Sequence, residues 1–194
     1  MSAAVLAPTA VPPPGRHTTG RWQIDARHTA VTTRVRVLGV PLQGRFAAAE
    51  GVIDVPDDIT RSQVSVTVRS DSFETGIASH TRFAHGRHFL DAAEHPTLTF
   101  SGDRLRPILE SLVTAGGDRP LWWLEGELTA LGVTRPLRIA LGVVRHRDDG
   151  EALEFHATAT VRRSDFGVVS LGPLIADTVE LRISGLARRT PAIA

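Results

Sequence analysis

Glu154-Phe155-His156-Ala157-Thr158-Ala159-Thr160-Val161 is the stretch whose reading decides the fold. Phe155, Ala157, Ala159 and Val161 fall on every second residue, and Glu154, His156, Thr158 and Thr160 fill the gaps. Successive side chains of an extended strand point to opposite faces, so a period of two directs one row to a core and the other to water. The pattern recurs in both directions. Upstream it appears in Leu137, Ile139, Leu141 and Val143, in Trp122, Leu124, Gly126 and Leu128, and in Leu98 and Phe100. It returns in Val64, Val66 and Val68 and in Val31, Thr33, Val35 and Val37; downstream it continues in Val179, Leu181 and Ile183. The alternate residues include Glu125, Glu127, Arg138, Glu180 and Arg182, so the expected sheet is antiparallel and wet on one side.

Turn residues separate these runs at Pro56-Asp57-Asp58, Ala115-Gly116-Gly117-Asp118, Leu131-Gly132-Val133 and Asp148-Asp149-Gly150. Residues 79–90 break the alternation and set Phe83, Gly86, Phe89 and Leu90 at near-helical spacing, which predicts one short helix. Many amphipathic strands and one helix leave two architectures, a sandwich or a closed barrel. Closure removes the exposed edges that a sandwich must protect, but periodicity does not choose between them.

Composition narrows the function. In the 194 residues, 22 basic side chains, all of them arginine, nearly balance 21 acidic ones, for a net charge of +1. The densest basic groups are the pairs Arg162-Arg163 and Arg188-Arg189, too sparse for a nucleic-acid face. The absence of cysteine excludes disulfides and thiolate chemistry. No apolar run approaches the roughly 18 residues of a membrane span. Residues 1–20, rich in Ala, Pro and Thr, read as a disordered lead-in without the basic start and apolar core of a signal peptide. A domain over residues 21–190 and a cytoplasmic location are therefore expected.

The order of several short segments resembles the YceI-like, polyisoprenoid-binding family, from about Trp22 to Leu186. Trp22-Gln23-Ile24-Asp25 with His28 is similar to the family's opening strand, and Gly44-Arg45-Phe46 with Gly51-Val52-Ile53-Asp54 to its second hairpin. Ser72-Phe73-Glu74-Thr75-Gly76, then Phe89-Leu90-Asp91 and His95-Pro96-Thr97-Leu98-Thr99-Phe100, match its most specific stretch. Gly126-Glu127-Leu128-Thr129 running into Gly132-Val133-Thr134-Arg135-Pro136, and Arg163-Ser164-Asp165-Phe166-Gly167, complete the set. The resemblance implies an all-β fold, a single antiparallel eight-stranded lipocalin-like β-barrel with one short helical insertion. It also implies an interior that takes an isoprenoid or other long lipid, and a homodimer.

The chain departs from the family pattern at two places, and if those side chains hold a ligand headgroup in relatives, this chain binds another headgroup or none. Places that usually hold Arg-Asp-x-His-Leu carry His80, Thr81, Arg82, Phe83 and Ala84, and Val37 stands where a histidine follows the first long strand. An eight-stranded barrel is wide enough to be packed solid or to hold one ligand. The small inward residues Gly126, Ala157 and Ala159 favour a cavity.

The candidate lining combines the inward rows with the resemblance. On strands it comprises Val35, Val37, Phe46, Val66, Val68 and Leu98, then Phe100, Trp122, Leu128, Leu141, Phe155 and Ala157. Phe83 and Phe89 of the helix are expected to turn into the cavity as a lid, Phe166 to line it, and Arg82, like Arg45, to meet an anionic headgroup. Of the adjacent Trp122 and Trp123, one must face in and one out.

Catalytic and metal-binding readings are weaker. His85, His88 and Asp91 follow at i, i+3 spacing, but Gly86 weakens the helix and no zinc signature is present. Ser164-Asp165 lies in no nucleophile elbow and reads as a turn whose side chains satisfy backbone amides. No phosphate loop or dinucleotide fingerprint exists, so no cofactor is expected. Three readings remain: a lipid or isoprenoid carrier, a filled barrel acting through its outer face, and a hydrolase or isomerase of a hydrophobic substrate.

Overall fold

Alternating residues pair as strands along almost the whole length described by the structure, a computed structural model covering residues 19–108, 122–147 and 150–190. Among these residues lie β1 (Gly20–Ile24), β2 (Ala30–Val37), β3 (Val40–Phe46), β4 (Ala49–Val55), β5 (Gln63–Arg69) and β6 (Phe73–Glu74). After them come α1 (Ala78–His85), β7 (Thr97–Pro107), β8 (Trp122–Ala130), β9 (Val133–Arg147), β10 (Ala152–Arg162) and β11 (Thr178–Arg189). The expected lead-in lies outside the described residues apart from residues 19 and 20, as do the turns expected at 115–118 and 148–149.

Eight strands close a ring in the order β1-β4-β5-β7-β8-β9-β10-β11, with β11 pairing back to β1. Every pairing is antiparallel. This is the eight-stranded barrel with one short helix that the resemblance implied. β2, β3 and β6 prolong the first three ring strands. β11 pairs with β1 at Ala187 to Arg189 and with β2 at Glu180 to Ser184, so β1 and β2 lie end to end along it. β3 and β4 lie end to end against β2 and β1, and β5 and β6 against β4 and β3. Gly44-Arg45-Phe46 and Gly51-Val52-Ile53-Asp54 are thus two parts of one bent strand rather than the hairpin that the sequence suggested.

Each bend has a local cause. Residues 25–29 turn around the Asp25 carboxylate, which accepts from the Arg27 amide at 3.0 Å, His28 Nδ1 at 3.0 Å and Arg188 Nε at 3.3 Å. Residues 47–48 and the 3-10 turn Ser70–Ser72 hold one another. The amides of Ala47 and Ala48 donate to the carbonyl and hydroxyl of Ser72, and the Arg69 amide donates to Ala48.

Three further expectations are corrected. α1 ends at His85 instead of Leu90, because Gly86, a poor helix former, caps it and residues 86–95 continue as turns. The alternation written through Val143 breaks, because Phe155 pairs with Val144 while Ala157 pairs with Leu141, so β9 bulges opposite His156. Gly126 does not hollow the interior. A Cβ there would strike the Ser101 carbonyl and come within 2.6 Å of the Gly102 Cα and 2.8 Å of the Phe100 ring. Gly126 serves instead the close approach of β7 to β8 beneath an aromatic ring.

Candidate functional site

The inward rows converge on a barrel interior whose two ends differ. At one end Trp22 has no exposed surface and packs with Ile24, Val55, Leu153 and Ala187. Its ring meets His146 edge-on at 6.3 Å and lies 4.3 Å beneath the Arg189 guanidinium. That end is solid. Farther along lies a second cluster, Phe100, Leu105, Leu124, Ile139, Ala157 and Ala159, flanked by half-buried Val66, Trp122, Leu128, Leu141, Leu181 and Ile183. Beyond it, at the end where β2 meets β3 and β10 meets β11, Val35, Val37, Leu42, Val68, Leu98, Val161 and Val179 face inward yet stay half-buried. Apolar side chains on the inner face of a paired wall keep accessible surface only where space adjoins them, so this end is a mouth.

Most strand residues expected to line the site come together here. Val66 pairs with Phe100 and Phe100 with Leu128. Trp122 pairs with Leu141, and Leu141 with Ala157. Val68 pairs with Leu98, Val35 with Leu42, and Val37 with Val40. Phe46 is buried against the Phe73 ring at 4.8 Å, whereas Phe155, expected to line the site, lies over Gly185 and packs against the Trp22 cluster at the closed end. Trp122 is inward as expected, whereas outward Trp123 is covered by Arg138, 5.6 Å from its ring centre.

Four residues stand apart. Phe83 and Phe89 stack on each other at 4.8 Å, with Phe83 half exposed, and belong to neither interior cluster. Arg82 borders a shallow hollow of about 490 Å³ with Glu74, Thr81 and His85, on the flank of α1. Phe166 is buried in the 3-10 turn Arg163–Phe166, also outside both clusters. The segment carrying α1 runs from β6 to the β8–β9 turn, where His95 lies against Gly132.

The loop that joins β10 to β11 at the mouth is held by a residue whose role the sequence did not disclose. Arg163 is buried, and its guanidinium donates to the carbonyls of Val168 (2.8 Å), Ser170 (2.9 Å), Gly172 (3.3 Å), Ile175 (2.9 Å) and Ala176 (3.2 Å). A rigid fork of donors suits five converging carbonyls as no other side chain does. The turn reading expected the Ser164 or Asp165 side chain to satisfy local amides, but the Ser164 amide and hydroxyl are both satisfied by the distant Asp177 carboxylate. Asp177 accepts from the Ser164 amide at 2.9 Å, its hydroxyl at 2.8 Å and Arg162 Nε at 3.0 Å. These bonds, the Ser164 amide foremost, hold the Asp177 carboxyl below its ordinary range.

The chemistry on offer is containment. The inward rows carry no Asp or Glu; their titratable residues are His146 and Arg189 against Trp22 at the closed end and exposed Arg135 opposite Leu128, and Thr33 supplies a hydroxyl. Buried Thr29, in the bend between β1 and β2, sets its hydroxyl beside Gly185, where it has no protein hydrogen-bond partner. Among the described residues no three potential metal ligands converge. His85 Nε2 donates to the Phe73 carbonyl at 2.8 Å, and Asp91, with φ of 40°, turns the chain and accepts the Glu94 and His95 amides.

Known proteins fit this geometry. A UPF0312 protein from Pseudomonas aeruginosa is 28% identical over 190 residues, covering 94% of each chain. Protein YceI of Salmonella arizonae is 26% identical over 178 residues, 88% of this chain and 87% of its own. The crystal structure of Burkholderia cenocepacia BcnA superposes with a TM-score of 0.71 at 20% identity, over 84% of this chain and 98% of its own. A polyisoprenoid binding domain from Saccharophagus degradans, implicated in plant cell wall breakdown, gives 0.66 at 15% identity, over 87% and 98%. The YceI-like domain model matches residues 22–187, and on that match, nearly the whole of the described barrel, the chain belongs to the YceI-like family.

Proposed function

We propose that this chain is a non-catalytic binding protein that holds a long apolar ligand, an isoprenoid, an isoprenoid quinone or another lipid, inside its barrel for transport, storage or sequestration. The carrying observation is the mouth: an inward wall of Val35, Val37, Leu42, Val68, Leu98 and Leu128, half-buried and without His, Asp or Glu, with exposed Arg135 opposite Leu128. Such a wall gains by covering its apolar surface, at about 25 cal/mol per Å², and offers no group to move a proton. The polyisoprenoid binding domain of the same fold supports the ligand class. A homodimer in the cytoplasm is part of the proposal; no described helix is long and apolar enough to cross a membrane.

One observation favours a second reading, a barrel acting through its outer face. A groove of about 580 Å³ runs across β2, β9, β10 and β11 on the outside, bordered by Arg34, Gln43, His156, Thr158, Arg182 and Ser184. The two readings separate on one experiment. Solvent extraction and native mass spectrometry of the purified chain should yield bound lipid. Leu128→Trp, which fills the mouth, should lose most of it with an unchanged β-rich circular dichroism spectrum. Equal lipid content in the folded variant, or none in the wild type, would leave the outer face as the working surface.

A further inference from the structure

Among the described residues, five of the seven exposed large apolar side chains sit on two neighbouring turns at the mouth. Leu38 and Val40 flank the β2–β3 turn, and Val169, Leu171 and Leu174 lie on the β10–β11 loop. Leu38 is 73% exposed and Val40 64%. Leu38 and Leu171 adopt φ of 50° and 54°, a left-handed conformation that ordinarily falls to glycine or asparagine. Neither packing nor backbone preference accounts for leucine at these tips.

The two turns form one tip. The Leu38 amide donates to the Leu174 carbonyl at 2.7 Å, the Ala176 amide to the Arg36 carbonyl at 2.8 Å, and Val37 bridges Ile175. Arg163, bonded to five loop carbonyls, holds Leu171 and Leu174 outward. Between the acidic residues at the ends of the loop, Asp165 and Asp177, the latter paired with Arg162 at 3.0 Å, the charge of the two turns has one sign. Residues 30–46 contain Arg34, Arg36 and Arg45 and no acidic residue, and residues 166–176 contain no charge at all. Arg36 folds back to the turn, its Nη1 3.2 Å from the Gly39 carbonyl. Beyond the Thr33 hydroxyl, the inward row runs through Val35, Leu42, Val37 and Val40 onto this tip without a further polar break.

We propose that the tip docks on an anionic lipid bilayer. The exposed leucines seat at the boundary of headgroups and acyl chains, Arg36 lies among the phosphates, and an apolar ligand passes between bilayer and barrel along this wall. Apolar anchors ringed by cations are the composition that binds such surfaces. A second copy suits the tip less well, because a two-fold contact through the same patch would set Arg36 near its own counterpart. The use of docking rests on the lipid-holding reading; docking itself does not.

Flotation of the full chain with phosphatidylcholine vesicles, with and without phosphatidylglycerol, tests the inference. Wild type should float with the anionic vesicles and not with phosphatidylcholine alone. The double variant Leu38→Asp, Leu171→Asp should bind at least about tenfold more weakly, and Arg36→Gln about fivefold, while Ile77→Asp, an exposed apolar site on another turn, should bind as wild type does. Absence of wild-type binding, or equal binding by the double variant, would overturn the proposal. So would loss of self-association in sedimentation by the double variant with vesicle binding intact, which would assign the tip to a second copy. Extracted lipid content is read separately, so docking by a chain that yields no lipid would refute only the interior reading.

Discussion

The two ends of this barrel are built from the same residue types in the same alternation, yet one is solid and the other is not. Around Trp22 the inward Ile24, Val55, Leu153 and Ala187 are almost wholly buried; at the mouth Val35, Val37, Val68 and Leu98 are half-buried. The difference lies in what spans the ring. Strand number sets the width, and aliphatic side chains of the wall do not fill an eight-stranded interior unless something large crosses it. One fully buried indole, covered by Arg189, does so at the closed end. At the mouth the polar work is done at the rim, by Arg163 and Asp177, and the interior is left apolar. Stability and containment are thereby divided between the ends.

That division can be broken most forcefully at Trp22. Trp22→Ala removes the largest fully buried side chain and should lower stability by about 3–5 kcal/mol, read as the urea midpoint at unchanged slope. A loss below about 1 kcal/mol would show that the closed end is not the anchor. Arg163→Lys tests the rim. A point cation cannot reach five carbonyls, so stability should fall by about 2–3 kcal/mol, and limited proteolysis should cut the loop between β10 and β11 first. Cleavage elsewhere in the barrel at equal rate would mean that Arg163 supports the whole fold rather than the mouth.

The smallest effect sharpens the contrast through pH. Asp177 is held below its unfolded value by Ser164 and Arg162, so its stabilising contribution is present above the unfolded pKa and is lost as pH falls through the folded one. The gap in urea midpoint between wild type and Asp177→Asn should be flat from neutrality to about pH 5 and shrink below about pH 4. The carboxyls of Asp25, Asp58 and Asp71 are also lowered, but they titrate in both proteins and cancel from the difference. A gap that widens in acid would contradict the assignment.

Much of the wall was legible in single residues. Phe100, Leu128, Leu141 and Ala157 were placed inward by their period, and the structure pairs them across neighbouring strands. Leu42 was missed because Gly39, Pro41 and Gly44 interrupt the alternation of β3. Gly126 was misread because a small residue means open space or close backbone approach, and only the position of β7 distinguishes them. The role of Arg163 was hidden because its five carbonyls are spread from five to thirteen positions along a loop whose course no local rule predicts.

The sequence by itself determined which side chains face in and which face out along the regular strands, since alternation is a local property of extended backbone that each segment carries alone; the β9 bulge, Leu42 and the α1 phenylalanines escaped it. It also carried the ordered segments that mark the family. Which end is filled, that Leu38 and Leu171 meet on one tip, and that β1 and β2 share β11 were decided only by the tertiary structure. Those outcomes depend on register and closure, where residues more than a hundred positions apart, such as Leu38 and Leu174, become hydrogen-bonded neighbours.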